Sequence, residues 1–328
     1  MKAIIWTNYG PPEVLKLQEI EKPTPEDNQI LVKVHATTVT AGDCEMRSLK
    51  FPPYLAIPMR LYVGVVRPTR VKIIGQEFSG EVVEVGAEVT KYKVGDRIFG
   101  NVGFGFGTYA EYVCLAETPG EMGGMYGSMP ADLSYQEAAA VPTGGLEALH
   151  FLREANLQPG QRLLINGAGG SIGTFGVQLA RLAGAHITAV DSGPKLAMLR
   201  ELGADEVIDY TKEDFTQRGQ QYDAIFDVIG KAPLKGAMHS LTETGVYLLA
   251  NPNLRKLMWG RWVSGRSGKR FFAQTNSLRR EDLLQLKEWI EAGELKVVVD
   301  RSYSLAEAAE AHRYVETGQK QGNVIIKI

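Results

Sequence analysis

Apolar and polar positions along this chain follow two different rhythms. Up to about residue 115 the pattern is that of strands and loops. Ile30-Leu31-Val32-Lys33-Val34 is strand-like, and so is Phe78 to Val85, with turn signals at Gly86 and at Val94-Gly95-Asp96. Prolines recur up to Pro68, which suits edge strands and loops better than long helices. Gly100 to Gly107 holds four glycines and reads as a loop. Glu117 to Pro130, rich in Gly, Met and Pro, reads as a connection between domains.

Beyond this connection strands alternate with helices. Leu163-Leu164-Ile165 lies between Pro159-Gly160 and a glycine cluster, and reads as a buried parallel strand. Ile172, Phe175, Gly176, Leu179, Ala180 and Ala183 then recur on one helical face, with Gly184 placed to end the helix. His186 to Val190 is a second strand, and Lys195 to Leu202 a helix stopped by Gly203. Further strands follow at Val207-Ile208, Ala224 to Val228 and Val246 to Ala250. This alternation predicts a doubly wound parallel sheet. Near the end come a helix from about Leu278 to Glu291 and a second opened by Ser304, with Glu307 at capping-box spacing. Val324 to Ile328 reads as a closing strand.

Composition narrows the class. A length of 328 residues suggests about two domains. With 44% hydrophobic and 23% charged residues the chain is neither disordered nor fibrous. Two cysteines, Cys44 and Cys114, cannot staple a disulfide scaffold of this size. The net charge of -2 gives no global attraction to nucleic acid, so no nucleic-acid partner is expected. No apolar run reaches the ~18 residues of a membrane span. The first residues lack the apolar core and cleavage site of a secretory signal, so a cytoplasmic location is expected.

The strongest chemical signal is Asn166-Gly167-Ala168-Gly169-Gly170-Ser171-Ile172-Gly173. It follows a predicted strand and opens a predicted helix. A carboxylate, Asp191, ends the next strand 18 residues past Gly173. Small residues let the backbone approach a pyrophosphate, which then sits on amides at the positive end of the helix. We therefore expect a dinucleotide at this loop, with Gly169, Gly170, Ser171 and Ile172 against the phosphates. Asp191 could bind both ribose hydroxyls, favouring NAD, and would repel a 2′-phosphate. Ser192, Lys195 and Tyr210 could instead hold that phosphate, favouring NADP. The alternative for Lys195 is a solvated helix charge, and for Tyr210 a rim position. The residues leave NAD(P)H undecided between its two forms.

The whole chain resembles the medium-chain dehydrogenase/reductase family, in its zinc-independent, quinone oxidoreductase-like branch. The resemblance rests on Val39-Thr40-Ala41-Gly42-Asp43 with Arg47, and on Ile74-Gly75-Gln76-Glu77-Phe78-Ser79-Gly80. It continues through Val94 to Gly100, Gly107 to Tyr112, Val141 to Ala148, the glycine loop, and Leu202 to Tyr210. It implies an α/β protein with a GroES-like, β-rich catalytic domain (1–127 and 275–328) and an inserted Rossmann domain (128–274), the active-site cleft lying at their junction. It also implies that Thr143 and the backbone from Val228 to Gly230 contact the nicotinamide half. Ala250, Asn251 and Phe272 should line the same groove. Asn323 stands where the family commonly has a lysine near the cofactor. Family members are often oligomeric, so a homodimer is expected.

The resemblance also locates what is missing. In the zinc-dependent branch a Cys occupies the place of Thr40, a His that of Gln76 and a Cys that of Ala139. The residues found here supply neither thiolate nor imidazole. No close run of four cysteines exists for a structural zinc. Hydride delivery without a metal suits an activated acceptor, a quinone or an α,β-unsaturated carbonyl. Related reductases place an Asn at Thr40 and use nearby tyrosines. Thr40, Tyr54 and Tyr62 are therefore the candidate catalytic residues, the two tyrosines expected in a loop overhanging the cleft. Two other readings stay open: a dinucleotide-binding protein with weak or no catalysis in a regulatory or structural role, and a zinc-type alcohol dehydrogenase.

Thr244 to Arg280 contains no acidic residue but eight arginines and lysines, interleaved with Leu254, Leu257, Met258, Trp259 and Trp262. Such a mixture suits a membrane surface, nucleic acid or an acidic substrate such as an acyl-CoA. The plainer reading is a solvated loop with its apolar side packed on the cleft or on a dimer partner, and peripheral membrane contact through 254–270 is the alternative. Elemental analysis of the purified protein should find far less than one zinc per chain; a stoichiometric zinc would overturn the metal-free expectation.

Overall fold

The computed structural model describes residues 1–120, 123–273 and 279–328. The chain forms two compact units. One comprises Met1–Thr143, Leu278–Glu291 and Val297–Ile328, the other Gly144–Ser277 and Ala292–Lys296. The expected domain break at 274/275 lies outside the described residues.

In the first unit the chain runs through β1 (Lys2–Trp6), β2 (Leu15–Glu19), β3 (Gln29–Thr38), α1 (Ala41–Ser48), α2 (Pro53–Val63) and β4 (Glu77–Val85). It continues with β5 (Arg97–Asn101), β6 (Tyr112–Ala116), β7 (Met125–Ser128), α3 (Tyr135–Ala139) and the start of α4 (Pro142–Ala155). The second unit carries β8 (Arg162–Asn166), α5 (Ser171–Leu182), β9 (His186–Asp191), α6 (Leu196–Glu201) and β10 (Glu206–Asp209). Then come β11 (Tyr222–Asp227), α7 (Leu234–His239), β12 (Leu241–Leu249), α8 (Leu254–Ser264) and β13 (Arg270–Phe272). The first unit is completed by α9 (Arg280–Glu291), β14 (Val299–Ser304), α10 (Ala308–Glu316) and β15 (Asn323–Lys327). Among the described residues, no helix is long and apolar enough to cross a membrane.

The first unit is built on the sheet β14-β15-β3-β4-β5-β7, with β6 also paired to β3. Ile30, Val32 and Val34 alternate along β3 and meet Phe78, Val82 and Ile98 in one core. Small residues, Ala36, Ala139 and Ala140, form a second cluster with Ile325 that lets α3 lie against the sheet. Strand β7 pairs with β5, so Glu117 to Pro130 is not merely a connection, and residues 128–143 pack with this unit. Likewise Gly100 and Asn101 end β5 rather than opening a loop.

The proline-rich stretch departs from its expectation. Pro53 to Val63 is helical, so Tyr54 and Tyr62 sit on α2 and not in a loop. Proline is tolerated in a first helical turn, whose N–H groups have no helical acceptor in any case. Pro58 costs one internal bond, and the helix still closes with the Gly64 amide on the Arg60 carbonyl.

The second unit is an all-parallel sheet of order β10-β9-β8-β11-β12-β13. Chain direction along the sheet reverses between β8 and β11, the switch point where open α/β sheets bind ligands. Leu164, Val190, Ile208, Ile225 and Tyr247 form part of its core. Phe151 of α4 stacks on Phe226 with ring centroids 5.0 Å apart. The basic, aromatic stretch also departs from expectation. It is no loop: Leu254 to Ser264 is helical, capped by the Asn253 side chain accepting from the Lys256 amide, and Arg270 to Phe272 adds the edge strand.

Candidate functional site

The carboxyl edge of the parallel sheet gathers most of the cofactor residues expected from sequence. The amides of Gly167 and Ala168 donate to the Val190 carbonyl, which ties the glycine loop to β9. A Cβ at Gly173 would come within 2.5 Å of the Ala168 backbone, so α5 begins flush against the loop. The first-turn amides of a helix have no helical acceptor and can receive an anion there. Gly169, Gly170, Ser171 and Ile172 are all placed at this helix start.

Asp191 and Lys195 form a buried pair, Nζ to Oδ1 at 3.0 Å. The same carboxylate accepts the Gly169 amide at 2.8 Å and the Ser192 amide at 2.8 Å. The lysine stem covers Gly169, where a Cβ would meet its Cδ at 2.5 Å. Lys195 is therefore not a solvated helix charge. Tyr210 follows β10 and is 57% exposed, a rim position. It borders a groove of about 390 Å³ lined also by Asn166, Val190, Phe215, Ile229 and Pro233.

The groove floor hangs on Asp227, which is completely buried. One oxygen accepts the Asn166 side-chain amide at 2.8 Å and the Gly230 amide at 3.0 Å. The other accepts the Tyr247 hydroxyl at 2.6 Å and the Ala232 amide at 3.3 Å. Lys256 of α8 reaches in to the carbonyls of Gly230 and Ala232. Ala250 donates its amide to the Asp227 backbone carbonyl, and the Asn251 side chain donates to the Val228 carbonyl. Gly230 has φ +66°, and a Cβ there would run into the Asn251 carbonyl. Val228, Gly230, Ala250 and Asn251 thus come together. Phe272 instead turns toward α4, its ring 5.8 Å from that of Phe151. A close-packed glycine loop, a charged pair after the second strand and an adjacent groove suit a dinucleotide.

The first unit holds the remaining candidates. Thr143 donates its amide to Glu77 Oε1 at 2.7 Å, and its hydroxyl accepts from Asn101 at 3.0 Å. The other Glu77 oxygen accepts the Thr38 hydroxyl. Burial pushes the Glu77 carboxyl up to about 7, although the bonds from Thr38 and Thr143 favour its charged form. Thr40 caps α1, accepting from the Asp43 amide and donating to Asp43 Oδ2 at 2.6 Å. Burial raises Asp43 to about 6 against those bonds. The Tyr62 hydroxyl donates to the Phe104 carbonyl at 2.8 Å. Tyr54 is 46% exposed, and its hydroxyl has no partner among the described residues. Asn323 is buried at the start of β15, where its side chain donates to the Val298 carbonyl.

The zinc branch's ligand positions carry other chemistry here. Thr40 is a cap, Gln76 donates to the Gly103 carbonyl at 2.7 Å, and Ala139 is a buried methyl. This donor set does not fit zinc. Among the described residues no three His, Cys, Asp or Glu side chains are grouped to hold a metal ion. Cys44 lies 3.3 Å from His312 Nδ1, but burial holds the thiol neutral and the imidazole near 3, so this pair makes no thiolate nucleophile.

Sequence reading missed Glu77, Asn101, Asp227 and Lys256. A carboxylate inside an apolar strand run was a usable signal for Asp227, whereas Glu77 stands among Gly75, Gln76 and Ser79 and carried no such mark. Nothing in the pattern marked Lys256. Because Glu77 titrates near 7 rather than its ordinary 4.5, the folded chain keeps a proton that the unfolded chain has released across that window. Stability should therefore fall as pH rises from 4.5 to 7, by about 3 kcal/mol from this group. Urea unfolding at both ends of the window should show that much less loss in Glu77→Gln than in the parent; identical pH slopes would overturn the assignment.

Comparison with known proteins agrees with this architecture. Residues 26–121 match the alcohol dehydrogenase GroES-like domain, and residues 202–326 match a domain described as zinc-binding dehydrogenase. A trans-enoyl reductase from Aspergillus terreus is 31% identical over 326 residues, covering 92% of this chain and 86% of that protein. An NADPH-dependent alkenal/one oxidoreductase from Arabidopsis thaliana is 29% identical, covering 99% of this chain and 79% of that protein. The structure of the quinone oxidoreductase from Coxiella burnetii superposes with a TM-score of 0.88 at 30% identity, covering 100% of this chain and 99% of the other. With both domains matched and relatives aligned nearly end to end, the chain is an oxidoreductase that belongs to the medium-chain dehydrogenase/reductase family, in its quinone oxidoreductase-like branch.

Proposed function

We propose that this protein is an NADPH-preferring reductase that delivers hydride to a quinone or an α,β-unsaturated carbonyl without zinc. The observation that carries the cofactor reading is the Asp191–Lys195 pair. Its carboxylate already accepts two amides and faces an ammonium at 3.0 Å. Little acceptor capacity remains for a ribose diol, and the charge that would repel a 2′-phosphate is neutralised. The Ser192 hydroxyl lies 3.4 Å from Asp191 Oδ1 as a further donor, and Tyr210 follows the neighbouring strand with its amide on the Asp191 carbonyl and its side chain exposed.

When bound, the reduced nicotinamide supplies the hydride. The chain's own residues bind and orient. Glu77 and Asn101 hold Thr143, and with it the first turn of α4. Asp227 and Lys256 hold the Val228–Gly230 backbone. The donor set at Thr40, Gln76 and Ala139 offers no Lewis acid, which points to an acceptor whose developing charge is delocalised over a conjugated system. Tyr54 has the available phenol to protonate it, since the Thr40 and Tyr62 hydroxyls are engaged elsewhere. The relatives named as alkenal/one and trans-enoyl reductases support this acceptor class.

A second reading, dinucleotide binding with little catalysis, is favoured by the commitment of the Thr40 hydroxyl to Asp43. Titration with NADPH and NADH, followed by 1,2-naphthoquinone, 9,10-phenanthrenequinone and a small enone, separates the two. Acceptor-dependent NADPH consumption is expected. Lys195→Ala should raise the NADPH KM about tenfold or more and change that for NADH less. Tyr54→Phe should lower kcat by about 100-fold for an enone, the usual scale of a general acid. Tight binding without turnover of any acceptor would move the assignment to the second reading.

A further inference from the structure

Helix α8 has two opposed faces, and the dinucleotide groove uses only one. Inward, Gly260 is buried so closely on the Phe271 ring that a Cβ would collide with it, and Trp259 and Val263 pack on the core. Lys256 reaches the Gly230 and Ala232 carbonyls, and Lys269, beyond the helix, reaches the Met238 carbonyl. Both lysines are thus absorbed by the fold. Outward, Leu254, Met258 and Trp262 follow one another at four-residue spacing and are 55%, 67% and 54% exposed. At about 100° per residue they form one stripe, with Arg255 on one flank and Arg261 on the other. Both arginines are exposed, and the Arg266 guanidinium lies 4.2 Å from the Trp262 ring centroid.

No acidic residue occurs in the sequence from Thr244 to Arg280 to neutralise this face. Whatever covers it must accept large apolar side chains and be anionic. A second copy docked through the same face would set arginines against arginines. A nucleic acid would match the arginines but leave Leu254 and Met258 without an apolar environment. We propose that this face of α8 docks on an anionic lipid surface, with the arginines among the phosphates and Leu254, Met258 and Trp262 at the acyl boundary. An apolar stripe between two cationic flanks, with an indole at its end, is the arrangement that an interfacial helix requires.

The test is sedimentation of the full-length protein with vesicles of phosphatidylcholine alone or mixed with phosphatidylserine. Binding is expected only to the mixed vesicles, and should weaken as salt rises from ~0.1 to ~0.5 M. Arg255→Ser with Arg261→Ser, and separately Met258→Ser with Trp262→Ser, should each weaken it about tenfold or more while the urea midpoint stays unchanged. Helix α2 also exposes apolar residues, among them Ile57 and Leu61, so Leu61→Glu serves as the control. Equal binding to both vesicle types, no binding at low salt, or capture by duplex DNA in preference to vesicles would overturn the proposal. So would binding that survives both α8 double variants and is lost in Leu61→Glu.

Discussion

A carboxylate wholly removed from water is costly unless its lone pairs are filled, and in the second unit that carboxylate is Asp227. Two backbone amides, an asparagine amide and a tyrosine hydroxyl fill them, with the Lys256 ammonium 3.9 Å away. Those partners come from β8, from β12, from the loop after β11 and from α8. One buried charge therefore fixes the ends of three neighbouring strands at the switch point of the sheet. It also explains the tie of α8 to the sheet. The lysine that turns inward shares its ammonium with the carbonyls of the loop that Asp227 organises.

The first unit buries its acids in another way. Glu77 and Asp43 have hydrogen-bond donors but, among the described residues, no cation paired with them, so burial prevails and both carboxyls are raised, to about 7 and about 6. Each acts on a position of interest through a bond to backbone or hydroxyl. Glu77 holds the Thr143 amide, and Asp43 holds Thr40. The Cys44–His312–Tyr109 chain beside them stays uncharged for the same reason, burial. It is packing that happens to be made of reactive residue types.

Between these extremes stands the Asp191–Lys195 pair, buried but mutually neutralising. The carboxylate orders the glycine loop through the Gly169 amide, and the lysine stem covers that same glycine. The arginines on the outer face of α8, by contrast, have no acidic residue near them in sequence.

Much of this was legible in the chain itself. Periodicity located the alternating strands and helices of the parallel sheet, because buried strands and one-sided helices leave local signatures that do not depend on neighbours. The glycine loop was legible because only small residues allow the approach that Gly173 makes to Ala168. That Thr40, Gln76 and Ala139 supply neither thiolate nor imidazole needed only residue identity. Tertiary structure decided the rest. Pro53 to Val63 is a helix despite its prolines, and Leu254 to Ser264 is a helix despite its exposed apolar stripe. Whether Asp191 is free or held depended on where the Lys195 side chain went. The raised carboxyl of Glu77 depended on burial between strands distant in sequence. Local pattern determines which elements form, but the state of a charge depends on the dielectric and the partners around it. Only the assembled fold supplies those.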